Sequence, residues 1–284
     1  MTDVSVIGLG NMGTALAQAF LGAGLATTVW NRTAERTRGV INKGAVGVPS
    51  FEDAVLASPL LIICLDSYST SNELFSKARV DDRLRDHVVV QLSTGTPKEV
   101  RESSAWFLAQ RASYLDGAIL GGPQMVGTAN ITMIYSGERT AFDRCYRELS
   151  SLSPNTIFVG DDVTAAATLD FAWLTKAICS HIALACGAAM CRADNIPVAT
   201  YASLFPNEPR AGYLLKLIQE NDFRRPGATV EIYRKAMKIV GRYAHEEGIN
   251  PVLLDMVTSV LSEAAETGHG EENIASLVRV FESA

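Results

Sequence analysis

Three glycines at the spacing Gly8-x-Gly10-x-x-Gly13 follow the apolar run Val4-Ser5-Val6-Ile7 and precede a helical pattern with Ala15, Leu16, Ala19 and Phe20 on one face. Strand, glycine turn and helix in that order make a dinucleotide cradle. Gly8 permits a sharp turn, Gly10 leaves bare backbone for a pyrophosphate, and Gly13 lets the helix pack close. The turn residues Leu9, Asn11 and Met12 present backbone N–H groups at the helix N-terminus, where an anion is favoured. A second apolar strand, Ala26 to Trp30, ends in Asn31-Arg32-Thr33, with Arg36 one turn on. An NAD site places a carboxylate here for the ribose 2′-hydroxyl. This chain instead offers two guanidinium groups and a hydroxyl, which suit a 2′-phosphate. The expected cofactor is NADPH; the alternative is that Arg32 and Arg36 are solvated charges at a helix start.

Further polar groups fall at strand ends. Leu65-Asp66-Ser67 closes the apolar run Leu60 to Leu65, a strand buried on both faces. Ser93 and Thr94 close the run Val88 to Leu92, and Thr96-Pro97 caps the next helix. These sit at the carboxyl edge, where open α/β sheets bind ligands. Asp170 lies among Leu169, Phe171, Ala172 and Trp173, so its carboxyl should be desolvated and hold its proton more tightly. Lys176 is the rival, about 120° round a helix from Asp170, so both cannot point into one cleft. It either faces the cofactor or reaches solvent. His181 reads as an internal hydrogen-bonding histidine.

The elements that position these groups form an α/β Rossmann nucleotide-binding domain, a long interdomain helix and an all-α C-terminal domain. The expected boundaries are 1–161, 162–194 and 195–284. A polar helix to Lys43, a strand Ala45 to Val48 and a short helix Phe51 to Ala57 precede the Leu60 strand. A helix from Pro97 to Arg111, strands Tyr114 to Ala118 and Ile131 to Tyr135, a helix Arg139 to Leu149 and a strand Thr156 to Val159 complete the first domain. Val163 to Arg192 holds no proline and one glycine, Gly187, and reads as one helix. Helices are expected over Tyr213–Glu220, Val230–Glu247, Pro251–Thr267 and Glu271–Ser283, with no strands among them. A helical domain on such a spine suits a homodimer with interdigitated helical domains.

Composition narrows the classes. The chain has 284 residues, 48% hydrophobic, with net charge −6 and no basic tract, so nucleic acid is not an expected partner. The apolar run Phe171 to Cys191 is broken by Lys176 and His181, which favours a buried helix over a membrane span. The opening residues enter a strand directly, leaving no room for a signal peptide. Five cysteines without metal-like spacing suggest reduced thiols, no metal site and a cytoplasmic protein.

The pieces Gly8 to Gly13, Leu92 to Glu102 (LSTGTPKEVRE) and the long helix resemble the β-hydroxyacid dehydrogenase superfamily. Trp30 to Thr33, Tyr114 to Gly137 and Gly268-His269-Gly270-Glu271-Glu272 make the chain similar to the bacterial imine reductases, NADPH-dependent enzymes that reduce cyclic imines to amines. The hydroxyacid dehydrogenases carry a catalytic lysine a set distance past the glycine closing the nucleotide domain. Counted from Gly160, that place is Leu169 or Asp170, and imine reductases have an aspartate or tyrosine there. The resemblance therefore implies Asp170 as the group that gives a proton to the imine nitrogen or stabilises an iminium. If Lys176 faces the cofactor instead, the enzyme is a hydroxyacid dehydrogenase or small-carbonyl reductase. A third reading is a non-catalytic NADPH-binding scaffold. By position and resemblance Ser93 and Thr94 lie near the nicotinamide or its ribose. The loop Gly121-Gly122-Pro123-Gln124-Met125 flanks the substrate, its double glycine widening the pocket. Trp173 is a pocket wall, and Tyr213 and Met237 belong to the far wall, which the family draws from a dimer partner.

Overall fold

The computed structural model describes residues 1–78, 80 and 83–282, which fall into two compact units, Met1–Asp170 and Phe171–Ala284.

The first unit is one eight-stranded sheet in the order β3-β2-β1-β4-β5-β6-β7-β8. Its strands are β1 Val4–Ile7, β2 Thr27–Trp30, β3 Val46–Gly47, β4 Leu60–Ile63, β5 Val88–Gln91, β6 Ser113–Leu120, β7 Thr132–Gly137 and β8 Asn155–Gly160. Neighbours run parallel except β6 and β7, which are antiparallel. Strands β1, β2, β4 and β5 are buried along their whole length. Their unbroken β-branched and aliphatic runs are therefore covered on both faces. Helices α1 (Asn11–Gly22) and α6 (Arg139–Ser150) cover one face with Leu16, Phe20, Phe142 and Leu149. On the other face α3 (Phe51–Leu56), α4 (Tyr68–Lys77) and α5 (Pro97–Ala109) contribute Phe51, Phe75 and Phe107. Trp30, Phe51, Phe75 and Phe107 run edge to face with centroids 5.2, 4.9 and 4.8 Å apart.

The chain reverses direction between β1 and β4: β2 and β3 lie to one side, β5 onward to the other. Such a switch opens a crevice at the carboxyl ends of the two strands. Gly8 follows β1 there and Cys64 follows β4.

Two local features differ from the sequence reading and one agrees with it. The polar helix after Thr33 is a 3-10 turn, Ala34–Thr37, followed by a four-residue α2, Arg38–Ile41. Helix α4, absent from the sequence reading, is rich in Ser, Thr and Asn, which favour turns over helix interiors. It forms because Ser67 caps it, its Oγ accepting the Thr70 N–H at 3.2 Å, and because Tyr68 and Phe75 are buried beneath it. Thr96 and Glu99 close the expected cap of α5 as a reciprocal capping box.

Helix α7 runs Ala165–Ala193, as the glycine-poor stretch predicts. By length and composition alone it could cross a bilayer. Its residues instead enter protein cores, Ala167 in the first unit and Phe171, Ile178, Ala185 and Ala188 in the second.

The second unit continues with α8 (Val198–Ala202), α9 (Pro209–Glu220), α10 (Val230–Glu246), α11 (Val252–Ala264) and α12 (Val278–Phe281). The expected helix 251–267 gives way at Ala265 to a π turn, because Gly268 has φ +92°. The expected helix 271–283, whose last residue lies outside the described residues, does not form as one piece. Asn273 bridges to Thr229, donates its N–H to Phe223 O at 2.8 Å and caps Ala275 with its side chain. Such local side-chain bonds compete with a continuing helix, leaving a 3-10 turn Ile274–Leu277 before α12.

Candidate active site

Gly8 has φ +96°, and a Cβ there would lie 2.3 Å from the Cys64 carbonyl oxygen. At Gly13 a Cβ would fall 1.9 Å from the Gly8 carbonyl oxygen, so this glycine lets the turn close upon itself. Gly10 has no neighbour within 4 Å of that position, and as N-cap of α1 it offers no side-chain acceptor. The first-turn amides of Asn11, Met12 and Gly13 therefore face an open cradle, which fits a pyrophosphate. Asn31 Oδ1 accepts the Leu9 N–H at 2.9 Å, and Asn31 Nδ2 donates to Thr33 O at 2.9 Å. Asn31 thus ties the glycine turn to the end of β2. Arg32, Thr33 and Arg36 are exposed beyond it.

Across the switch point the Leu65 N–H donates to Ser93 Oγ at 3.0 Å. The Ser93 N–H donates to Gln91 Oε1, and Gln91 Nε2 to Ser71 Oγ. The loops after β4 and β5 are therefore one hydrogen-bonded edge, with Asp66 exposed and Thr94 half-buried on it. Ser67 is committed to capping α4. Gly95 is needed sterically, because a Cβ there would lie 2.2 Å from the Tyr68 ring.

Below this edge lies a group that the sequence reading missed. Asp116, in the middle of β6, is 2% exposed, and its Oδ1 accepts the Tyr68 hydroxyl; the Tyr114 hydroxyl donates to Tyr68 at 3.2 Å. Burial pushes Asp116 up to about 8; the Tyr68 hydrogen bond opposes the rise and the charge of Asp170 adds to it. Asp170, half-buried on α7, is pushed up to about 7 by loss of solvent. An acid inside the otherwise apolar run Tyr114 to Leu120 of a central strand was the available signal.

Several expected positions read differently. The double glycine does not widen the loop. The space at Gly121 is filled by Ile131 and Met125, and that at Gly122 by the Gln124 side chain. Pro123 to Met125 form a 3-10 turn over it. Met237 is fully buried in the core of the helical unit, so it packs there and lines no wall exposed on that unit. Tyr213 is 46% exposed. Trp173 is half-buried with the Arg210 guanidinium 5.2 Å from its ring centroid, and Lys176 is exposed. Nδ1 of His181 is buried without a hydrogen-bond partner among the described residues, contrary to expectation. Burial pushes this imidazole down to about 4, with Arg210 and Lys176 adding to the fall, so it is neutral.

The comparisons agree with this geometry. Residues 3–160 match the NAD binding domain of 6-phosphogluconate dehydrogenase, and residues 162–283 match the NADPH-dependent reductive aminase-like C-terminal domain. An NADPH-dependent reductive aminase from Aspergillus oryzae is 26% identical over 98% of this chain and 96% of its own length. An imine reductase from Myxococcus stipitatus, solved in complex with NADP+, is 31% identical over 98% of this chain and 99% of its own, with a TM-score of 0.69. A 3-hydroxyisobutyrate dehydrogenase from Salmonella typhimurium has a TM-score of 0.85 at 21% identity over 99% and 100%, a likeness of fold alone. The open glycine cradle and matches that span the whole chain lead to one assignment: the chain belongs to the imine reductase family, oxidoreductases built on the NAD-binding domain of 6-phosphogluconate dehydrogenase.

Proposed function

We propose that the protein reduces the C=N bond of a cyclic imine or iminium to an amine, with NADPH as hydride source and Asp170 as proton donor. The observation that carries this reading is the carboxyl at position 170, half-buried and pushed up to about 7. A carboxyl of that proton affinity keeps about half its acid form near neutral pH, which suits a general acid. The sequence similarity to a reductive aminase and an imine reductase supports the substrate class. Arg32, Arg36 and Thr33 support NADPH over NADH, since all three are exposed where a 2′-phosphate would be bound.

NADPH supplies the hydride to the imine carbon. The chain's own residues do the rest. The amides of Asn11 to Gly13 hold the pyrophosphate, and Ser93 and Thr94 border the nicotinamide end. Asp170 gives its proton to the nitrogen or, with a substrate already protonated, stabilises the iminium. We further propose a homodimer through the helical unit. Exposed Met190, Leu204, Val252 and Met256 on that unit, each more than half exposed, support it.

The test is NADPH oxidation with 1-pyrroline or a dihydroisoquinoline. Turnover is expected with the wild-type chain. In Asp170→Asn, kcat should drop at least about a hundredfold with NADPH affinity intact, and Lys176→Ala should stay close to wild type. Loss in Lys176→Ala with little effect in Asp170→Asn, together with oxidation of hydroxyacids, would replace this reading with a hydroxyacid dehydrogenase.

A further inference from the structure

A row of polar side chains crosses the sheet. The register sets Gln91 of β5 beside Asp116 of β6, and Asp116 beside Ser136 of β7. All three are buried. Partners across a ladder share a face, and each of the three reaches a helix on it. Ser136 Oγ accepts the Ala166 N–H at 2.9 Å and holds the start of α7. Gln91 Nε2 donates to Ser71 Oγ at 3.1 Å, and Asp116 Oδ1 accepts the Tyr68 hydroxyl. Tyr68, Ser71 and Phe75 are the buried residues of α4, at the spacing of one helix face. Phe75 enters the aromatic core, whereas Tyr68 and Ser71 are anchored on the row. The first turn of α4 is thus held by hydrogen bonds to the sheet.

Burying polar groups is costly unless they are bonded, and a bonded network favours a single arrangement. What this one arranges is the rim of the crevice. Tyr68 directly follows Ser67, so its hydroxyl anchor also fixes the loop Leu65–Ser67 that leaves β4. Its ring occupies the place of a side chain at Gly95, where a Cβ would lie 2.2 Å from Cδ2. The loop that leaves β5 therefore rests on the same ring. The Leu65 N–H, donating to Ser93 Oγ at 3.0 Å, ties the two loops together. The Tyr114 hydroxyl donates to that of Tyr68 at 3.2 Å, which leaves the Tyr68 proton for Asp116. One side chain thus supports both loops and is fastened at its far end to β6. Strand β2 lies on one side of β1, and β4 and β5 on the other. With the 2′-phosphate beyond β2 and the pyrophosphate on α1, the nicotinamide half of a dinucleotide falls over β4 and β5.

We propose that Tyr68 and Asp116 are positioning residues for the nicotinamide half of the cofactor: their buried hydrogen bond sets the two rim loops in place for that half, while the adenosine half binds without its help. The inference rests on the reading of Ser93 and Thr94 as the nicotinamide border and is independent of the substrate. Neither side chain touches the cofactor in this role. A rim freed from its anchor must be ordered again when the cofactor binds, and affinity falls by that cost. The 2′-phosphate end, built on β1 and β2, is spared.

The experiment measures dissociation constants of NADPH and of adenosine 2′,5′-bisphosphate, which carries the adenosine half alone. Wild type is compared with Asp116→Leu, Tyr68→Phe, Asp116→Asn and Thr94→Trp. Asp116→Leu removes the acceptor and should weaken NADPH at least about fivefold, with the bisphosphate held within about twofold. Tyr68→Phe keeps the ring against Gly95 and removes only the donor. It should act in the same way, and as the milder change it carries the test if Asp116→Leu does not fold. Asp116→Asn retains an acceptor for the Tyr68 hydroxyl and should bring NADPH back to within about twofold of wild type. Thr94→Trp fills the rim itself and should weaken NADPH alone. If Thr94→Trp leaves NADPH affinity unchanged, the rim is not the nicotinamide border and the inference falls with that reading. If Thr94→Trp weakens NADPH but Tyr68→Phe weakens neither ligand, or both equally, the anchor alone falls. An Asp116→Asn protein as weak as Asp116→Leu also overturns it, because the hydrogen bond would then not be what matters.

Discussion

Two parts of the first unit, the phosphate end and the acid end, are built on opposite plans. The phosphate end is compact in sequence: Gly8, Gly10 and Gly13 lie within six residues, Gly13 required by the Gly8 carbonyl inside the turn, Gly8 by its φ of +96° and the nearby Cys64 carbonyl, and Gly10 by the open space beside it. The acid end is assembled from four segments far apart in the chain, Tyr68 on α4, Asp116 on β6, Ser136 on β7 and Asp170 on α7. A local device fails by sterics when one atom is added. A dispersed one fails by degrees, through charge and proton affinity, because each element holds only part of it.

The sharpest way to break that contrast is Gly13→Ala. With a Cβ 1.9 Å from a backbone oxygen, the turn must open, and NADPH affinity should fall at least about a hundredfold, read by fluorescence titration. A loss under tenfold would mean that the turn is as tolerant as the acid end. Next in size, Arg32→Ala with Arg36→Ala should cut the preference for NADPH over NADH at least about tenfold in kcat/KM. An unchanged ratio would show both arginines to be solvent charges.

A smaller effect distinguishes the acid end by stability. Asp116 and Asp170 hold protons more tightly when folded, at about 8 and about 7 against the usual 3.8. Between those limits the folded state binds more protons than the unfolded one, so stability is full at low pH and falls as pH rises through neutrality. The Tm of the ligand-free protein should therefore decline from about pH 5 to about pH 8, and Asp116→Asn should flatten the decline. A Tm that rises over that range would rule out buried, proton-holding carboxyls. Smallest of all, Gly121→Ala meets side chains and no backbone, with Ile131 nearest at 2.8 Å and Met125 Sδ next at 3.3 Å. Those flexible neighbours can move, so a stability cost of about 1 kcal/mol and under twofold in kcat is expected. A larger loss would return the double glycine to a role in substrate fit.

The same contrast explains what was legible in the chain. The glycine turn, Arg32 and the four buried strands are written in contiguous residue types, and the structure has them where spacing places them. Asp170 was visible because its neighbours on one helix are apolar. Asp116 was not, since its burial comes from strands and helices remote in sequence and its partner Tyr68 sits on α4, whose Ser- and Thr-rich composition hides it. Glycine at 121 suggested space, but only the packed Ile131 reveals that the space is filled. Met237 has the same origin: a periodic apolar residue cannot say whether it faces a core or a ligand.

Asn31 carries a consequence for redesign. Its two amide atoms clasp the Leu9 N–H on one side and the Thr33 carbonyl on the other. Installing the aspartate that would welcome an unphosphorylated ribose keeps the first clasp and sets oxygen against oxygen at the second. Coenzyme choice and the integrity of the hinge beneath it are thus written into a single side chain, and engineering one without disturbing the other calls for changes at 32 and 36 alone.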